Sequence, residues 1–342
     1  MNLLIFGSTG DLVKRKVMPA LQELKLKDLK IFALGRKDFT DEIYKDFICE
    51  GKCSTSFRKQ ISYKKINFEV KLREQILDIL DKDNENFVYL SLPPELIELV
   101  LLGLSELNSE FKLRILIEKP FGTNLDNALK LEKIIKAHFN LKQIYLSDHY
   151  LFKEPIIELV KDKNKIEDLE IVSLEELGLE NRGYYDSTGA LRDMVQSHFM
   201  NILFKLIKSS ELQDFSINTF KRAQYGYSQD KKSYVSELGR QSNTETFVDL
   251  ELKVDKKRIR MVTGKAFKEK TAFIEINGKK IDMKDKINPY IKLLNDFFSG
   301  KPGEFPTIKD SVLAWKIINK IEENKPELEY YPRECDPNFF KV

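Results

Sequence analysis

The chain has 342 residues, of which 42% are hydrophobic and 32% charged, with a formal net charge of +3. That length exceeds one ordinary core and calls for two domains, and the near balance of charge gives no reason to expect a nucleic-acid or membrane partner. The apolar start, Met1 to Gly7, is too short for a signal peptide and lacks a basic lead, and no window approaches the ~20 apolar residues of a membrane span.

Along the chain, Leu3–Phe6 reads as a short buried strand, followed by a helix from about Asp11 to Leu26. Four more apolar runs, Ile31–Leu34, Phe87–Leu92, Leu113–Ile117 and Ile144–Leu146, alternate with helical patterns over Glu74–Leu80, Glu95–Leu107 and Leu125–Ala137. This alternation predicts an α/β Rossmann-like domain, a doubly wound parallel sheet covered on both faces, over residues 1 to 147. From 148 to 342 the texture changes. Asp249–Val254, Arg258–Val262, Thr271–Ile276 and Lys280–Met283 are β-branched or alternating, and Asn277-Gly278 between the last two is a strong hairpin signal. Helices are expected over Gly189–Ile207, Tyr290–Phe298 and Asp310–Glu323, giving an α+β domain with a mainly antiparallel sheet. Tyr227–Ser242 reads as a mobile loop, and the Pro-containing tail after Lys325 as irregular.

Three cysteines, Cys49, Cys53 and Cys335, form an odd, sparse set that argues against a disulfide framework. Cys49 and Cys53 are therefore expected to be ordinary thiols, no metal site is expected, and the cytoplasm is the expected location.

The first strand runs directly into Gly7-Ser8-Thr9-Gly10-Asp11-Leu12, a G-x-x-G turn before a helix. Glycines there let the backbone approach a pyrophosphate, and the helix N-terminus supplies N–H donors. The second strand ends in Gly35-Arg36-Lys37. A site for NAD would place an acidic residue there to bind the ribose hydroxyl, whereas two cations suit the 2′-phosphate of NADP.

Four segments in order resemble the glucose-6-phosphate dehydrogenase family: the turn at Gly7–Leu12 with Lys14-Arg15-Lys16, Glu118-Lys119-Pro120-Phe121-Gly122, Asp148-His149-Tyr150-Leu151-Phe152-Lys153-Glu154, and Gly183-Tyr184-Tyr185-Asp186 running through Gly189 and Arg192-Asp193 to Gln196-Ser197-His198. Thr244-Glu245-Thr246-Phe247 and Thr263-Gly264-Lys265 are weaker matches, and the second domain is shorter than the family usually has. The resemblance implies NADP-dependent oxidation of glucose 6-phosphate at C1, with His198 as general base and Asp148 orienting it. It implies that Lys16, His149, Tyr150, Lys153, Glu175, Asp193, Lys265 and Lys270 bind the sugar phosphate. It further implies that Gly7, Ser8, Thr9, Gly10, Asp11, Leu12, Arg36, Ser91, Lys119 and Pro120 hold the cofactor, and that the assembly is a homodimer or homotetramer.

The chemistry stands without the family. Oxidising a hemiacetal carbon requires removal of the hydroxyl proton, and an imidazole backed by a carboxylate does this near neutral pH. Helical periodicity alone would instead file His198 with Leu191, Val195 and Ile202 as a core residue. Phe152 stands where the family has a small glycine, and a bulky ring beside the phosphate ligands is expected to reshape the pocket. Two alternatives therefore stay open: a dehydrogenase of another sugar phosphate, and a protein that binds NADP or a sugar phosphate without turnover.

Overall fold

A computed structural model describes residues 1–161, 165–180, 182–228 and 231–340. The chain divides into two compact units, Met1–Phe152 with Lys286–Lys309, and Lys153–Asp285 with Asp310–Val342.

The first unit is built on six strands: β1 (Asn2–Phe6), β2 (Lys30–Gly35), β3 (Ile61–Lys65), β4 (Asn86–Leu90), β5 (Leu113–Ile117) and β6 (Ile144–Leu146). They lie in the order β3-β2-β1-β4-β5-β6, with every pairing parallel. All five residues of β1 and of β4 are buried, as expected for central strands covered on both faces. Because β1 pairs with both β2 and β4, the strand order reverses between β1 and β4. Their carboxyl ends form the crevice in which such sheets bind ligands. Helix Pro289–Phe298 belongs to this unit, although it comes late in the chain. Its Phe297 packs edge-on to Phe87 and Tyr145 at 5.6 and 5.4 Å, and Arg114 donates to the Phe297 and Phe298 carbonyls.

Cys49 and Cys53 form a disulfide, which corrects the expectation of ordinary thiols. Cys49 ends helix Asp41–Cys49. Glu50 and Gly51 then take φ of +47° and +74°, turning the chain back so that the two Cα atoms stand 5.2 Å apart, within the span a disulfide bridges. Cys335 is a buried free thiol, and burial pushes it up to about 11.

The second unit holds β7 (Asp168–Leu174), β8 (Ser216–Tyr225), β9 (Phe247–Val254), β10 (Lys257–Gly264), β11 (Thr271–Ile276), β12 (Lys279–Asp282) and β13 (Leu328–Tyr331). Their order is β12-β11-β7-β10-β9-β8-β13. The sheet is mixed, being antiparallel except where β10 meets β7 and β13 meets β8. Asn277 and Gly278, both at positive φ, make the two-residue turn between β11 and β12. Helix Ile308–Glu322 buries Trp315, Ile318 and Ile321.

Two expectations for this unit need correction. The tail after Lys325 is not irregular: β13 adds a parallel strand beside β8, and Tyr331 is buried with its hydroxyl donating to the Lys265 carbonyl at 2.6 Å. Within Tyr227–Ser242, of which 229 and 230 lie outside the described residues, Ser233 caps helix Tyr234–Leu238 and Tyr234 is fully buried. Asp186 anchors this segment, accepting hydrogen bonds from Tyr234, Arg240 and Ser242.

Candidate active site

In the first unit, Gly7 leaves β1 with φ +75°, and a β-carbon there would overlap the Ser91 carbonyl oxygen and stand 2.8 Å from its carbon. Only glycine permits this turn and this approach. Ser91 follows β4 and donates its N–H to the Phe6 carbonyl at 3.0 Å, so Gly7 and Ser91 meet at the reversal point. The turn closes through Gly10 N–H to the Gly7 carbonyl at 2.9 Å, and Lys14 N–H to Gly10 starts the helix. The Ser8 hydroxyl is buried without a hydrogen-bond partner among the described residues, while the Ser8 carbonyl accepts from Tyr44 at 3.0 Å. Thr9 lies against Gly35 at the end of β2. Beyond it Arg36 is exposed, whereas Lys37 lies over the rings of Phe39 and Phe47. Asp11 is taken up by Arg15, and Lys16 is exposed. A glycine cradle, a buried hydroxyl without a partner among the described residues and an exposed guanidinium at the second strand tip fit a dinucleotide.

Next along the strand ends, Glu118 is 5% exposed beneath the cis Lys119–Pro120 bond. Its carboxylate accepts from the Tyr89 hydroxyl and from Ser147 at 2.8 Å; burial, then the Glu118 charge, push the Tyr290 hydroxyl well up. Burial raises the pKa of Glu118, against the pull of its two donors. Glu118 thereby ties the end of β5, which carries Lys119 and Pro120, to the end of β6, which leads into Asp148 and His149. Asp148 is fully buried and accepts from the Tyr150 N–H at 3.0 Å. His149 stacks on Tyr290 at 5.6 Å, with 18° between the rings. The Phe152 ring is buried within the first unit, edge-on to Phe305 at 4.8 Å.

In the second unit, Asp193 and His198 lie on helix Leu191–Phe199, which has the wide turns of a π-helix. In an α-helix residues five apart are splayed by roughly 140°. The i→i+5 hydrogen-bonding repeat instead places such residues one above the other, and such segments recur at functional sites. His198 is 2% exposed, and Ser197 bonds back to the Asp193 carbonyl at 2.6 Å. Lys265, 5% exposed, pairs with Glu175 at 2.6 Å, and its ammonium lies 4.9 Å from the Tyr185 ring centroid. Burial, then the charge of Asp193, push the Tyr185 hydroxyl well up. Glu175, Lys265, Tyr185 and Asp193 are thus gathered in one polar cluster.

Lys153 and Lys270, also expected at the substrate, lie in the second unit. Lys153 pairs with Asp285 at 3.0 Å and donates to the Met283 carbonyl. Lys270 is exposed, with its N–H bonded to Glu176. Sequence reasoning did not single out Tyr89, Ser147, Tyr185 or Tyr290 as parts of these clusters. Glu118 was visible in its motif, but nothing in the sequence marks the two distant hydroxyls, of Tyr89 and Ser147, that converge on it.

The family model described as the glucose-6-phosphate dehydrogenase NAD binding domain matches residues 4–157, and that family's C-terminal domain matches 150–209. The chain is 32% identical to glucose-6-phosphate 1-dehydrogenase of Buchnera aphidicola subsp. Schizaphis graminum, covering 82% of this chain and 70% of that one. It is 27% identical to the Dickeya dadantii enzyme of the same name, covering 94% and 77%. Among solved structures, glucose-6-phosphate 1-dehydrogenase from Mycobacterium avium superposes with a TM-score of 0.83 at 22% identity, over 98% of this chain and 94% of that one. A fold of nearly this extent therefore exists elsewhere. No helix among the described residues is long and apolar enough to cross a membrane. The chain belongs to the glucose-6-phosphate dehydrogenase family.

Proposed function

We propose that this protein oxidises D-glucose 6-phosphate to 6-phospho-D-glucono-1,5-lactone with NADP, the entry step of the oxidative pentose phosphate pathway, in the cytoplasm. The observation that carries this reading is that the family match runs unbroken from the nucleotide turn through the helix bearing His198. The proposed division of labour gives the cofactor to residues 1–147 and the substrate to 148–342.

The nicotinamide, when bound, accepts the hydride from C1. The chain's own residues handle the proton and the positioning. The His198 imidazole takes the C1 hydroxyl proton as the C1–H bond breaks and the lactone C=O forms, and becomes imidazolium. Asp148 is the proposed carboxylate that fixes its tautomer and stabilises the new charge. His149, Tyr150 and Lys153 are the proposed phosphate ligands, with Lys16 nearby. Lys265 and Glu175, already paired, supply a cation and an acceptor to the sugar together with Asp193, and Lys270 completes the set. Gly7, Ser8, Thr9, Gly10, Asp11, Leu12 and Ser91 hold the pyrophosphate end, Lys119 and Pro120 lie at the nicotinamide, and exposed Arg36 supports the choice of NADP over NAD.

The test is dinucleotide reduction across a panel of hexose 6-phosphates, run with NADP and with NAD. Turnover on glucose 6-phosphate with NADP supports the reading. Turnover restricted to another sugar phosphate, or none with NADP binding retained, refutes it.

A further inference from the structure

Glu245 precedes β9 and is 3% exposed, yet it lies among several charges. Arg222 Nε on β8 stands 3.3 Å from Oε2, and Lys325 Nζ 3.1 Å from the same oxygen. The contact with Arg222 is an ion pair without hydrogen-bond geometry, since neither atom has a hydrogen-bond partner among the described residues. Arg222 is itself held by the main-chain carbonyls of Asn243 and Pro326.

The other side of Glu245 faces the start of helix Leu191–Phe199. Its main-chain carbonyl accepts from Ala190 N–H at 3.0 Å, and Oε1 accepts from Leu191 N–H at 3.4 Å. The helix has no side-chain cap of its own. The first N–H groups of a helix lack partners within it, and a carboxylate at that end is also favoured by the helix dipole. Gly189 opens the space: its φ is +69°, and a β-carbon there would overlap Oε1 and stand 3.0 Å from the carboxyl carbon. Two residues further on is Asp193, and His198 follows on the same segment, with Ser197 bonded back across the turn.

We propose that Glu245 is a positioning residue for the dehydrogenase reaction: by gripping Ala190 and Leu191 it sets where the helix presents Asp193 and His198. Its pairing with Arg222 and Lys325 anchors that grip to the sheet. The inference rests on His198 as the base. A shift of about 1 Å in such a group costs on the order of a hundredfold in rate, so a clamp on the helix end has leverage on turnover.

Glu245→Asp and Glu245→Gln separate the grip from the anchor. Aspartate keeps the charge for Arg222 and Lys325 but is one methylene too short to reach Leu191 N–H. E245D should therefore fold with near-normal thermal stability, lose about ten- to a hundredfold in kcat with a much smaller change in KM, and shift the acid limb of its kcat–pH profile. Glutamine keeps the reach but leaves two cations without their anion. E245Q should lose stability, and its folded fraction should turn over faster than E245D. A stable E245D with wild-type kcat and pH profile overturns the proposal, and if E245Q fails to fold, E245D alone decides. His198→Asn run alongside separates the two readings. If H198N keeps normal turnover the assignment of the base has failed. If H198N is inactive while E245D is normal, only the positioning role has failed.

Discussion

Gly7 and Ser91 meet so closely that a β-carbon on the glycine would overlap the serine carbonyl, which fixes the spacing between the ends of β1 and β4 where the dinucleotide is expected to lie. Gly7→Ala would therefore push the two strand ends apart and force an L-residue to positive φ, at a cost of about 1–2 kcal/mol from backbone strain alone. The expected outcome is a lowered melting temperature together with loss of NADP binding by calorimetry. Wild-type binding in a folded G7A would show that the close approach does not serve the cofactor.

Arg36 is exposed at the tip of β2, where under the proposed NADP reading a guanidinium would meet the 2′-phosphate as a charge-assisted, bidentate pair. Arg36→Ala should weaken NADP by about tenfold or more while NAD changes by no more than about twofold. Dissociation constants for both dinucleotides check this, and equal losses would remove the 2′-phosphate role.

His198 is buried on the π-type helix Leu191–Phe199, five residues after Asp193. His198→Asn should lower kcat by about a thousandfold, within the usual range for loss of a general base, with KM nearly unchanged because ground-state binding is untouched. Steady-state kinetics on glucose 6-phosphate measure both numbers.

Asp186 ties the segment carrying Tyr234, Arg240 and Ser242 to the stretch before helix Leu191–Phe199. Burial pushes its carboxyl up, but the hydrogen bonds from Ser242, Tyr234 and Arg240 outweigh this and hold the pKa below the usual carboxylate value. A depressed folded pKa means that the stabilisation is fully present above the unfolded value of about 3.9 and is lost as pH falls through the folded value. Urea midpoints of wild type and Asp186→Asn should therefore differ at neutral pH and converge in acid. A constant gap across that range would contradict the ionic role.

Much of the first unit was legible because β1, β2, β4, β5 and β6 are buried runs that announce themselves by hydrophobicity. β3 was not: Ile-Ser-Tyr-Lys-Lys buries only Ile61 fully, at the edge of the sheet. β8 leaves its first six residues, Ser216 to Lys221, at least partly exposed, and β13 follows a proline and leaves Glu329 and Tyr330 exposed, so neither shows a clear strand period. Motif order carried the candidate site. The gathering of Glu175 with Lys265 across 90 residues is a product of sheet pairing that no local pattern contains. The π-type turns around His198 were also invisible, since apolar spacing alone predicts an α-helix.

The most direct test of the account follows the hydrogen on C1. The protein is given glucose 6-phosphate deuterated at C1 together with NADP, and the reduced dinucleotide is analysed by mass spectrometry. The account predicts one deuterium on the nicotinamide ring and phosphogluconolactone as the co-product. Reduced dinucleotide without deuterium, or no reduction by a folded protein that binds NADP, would contradict it.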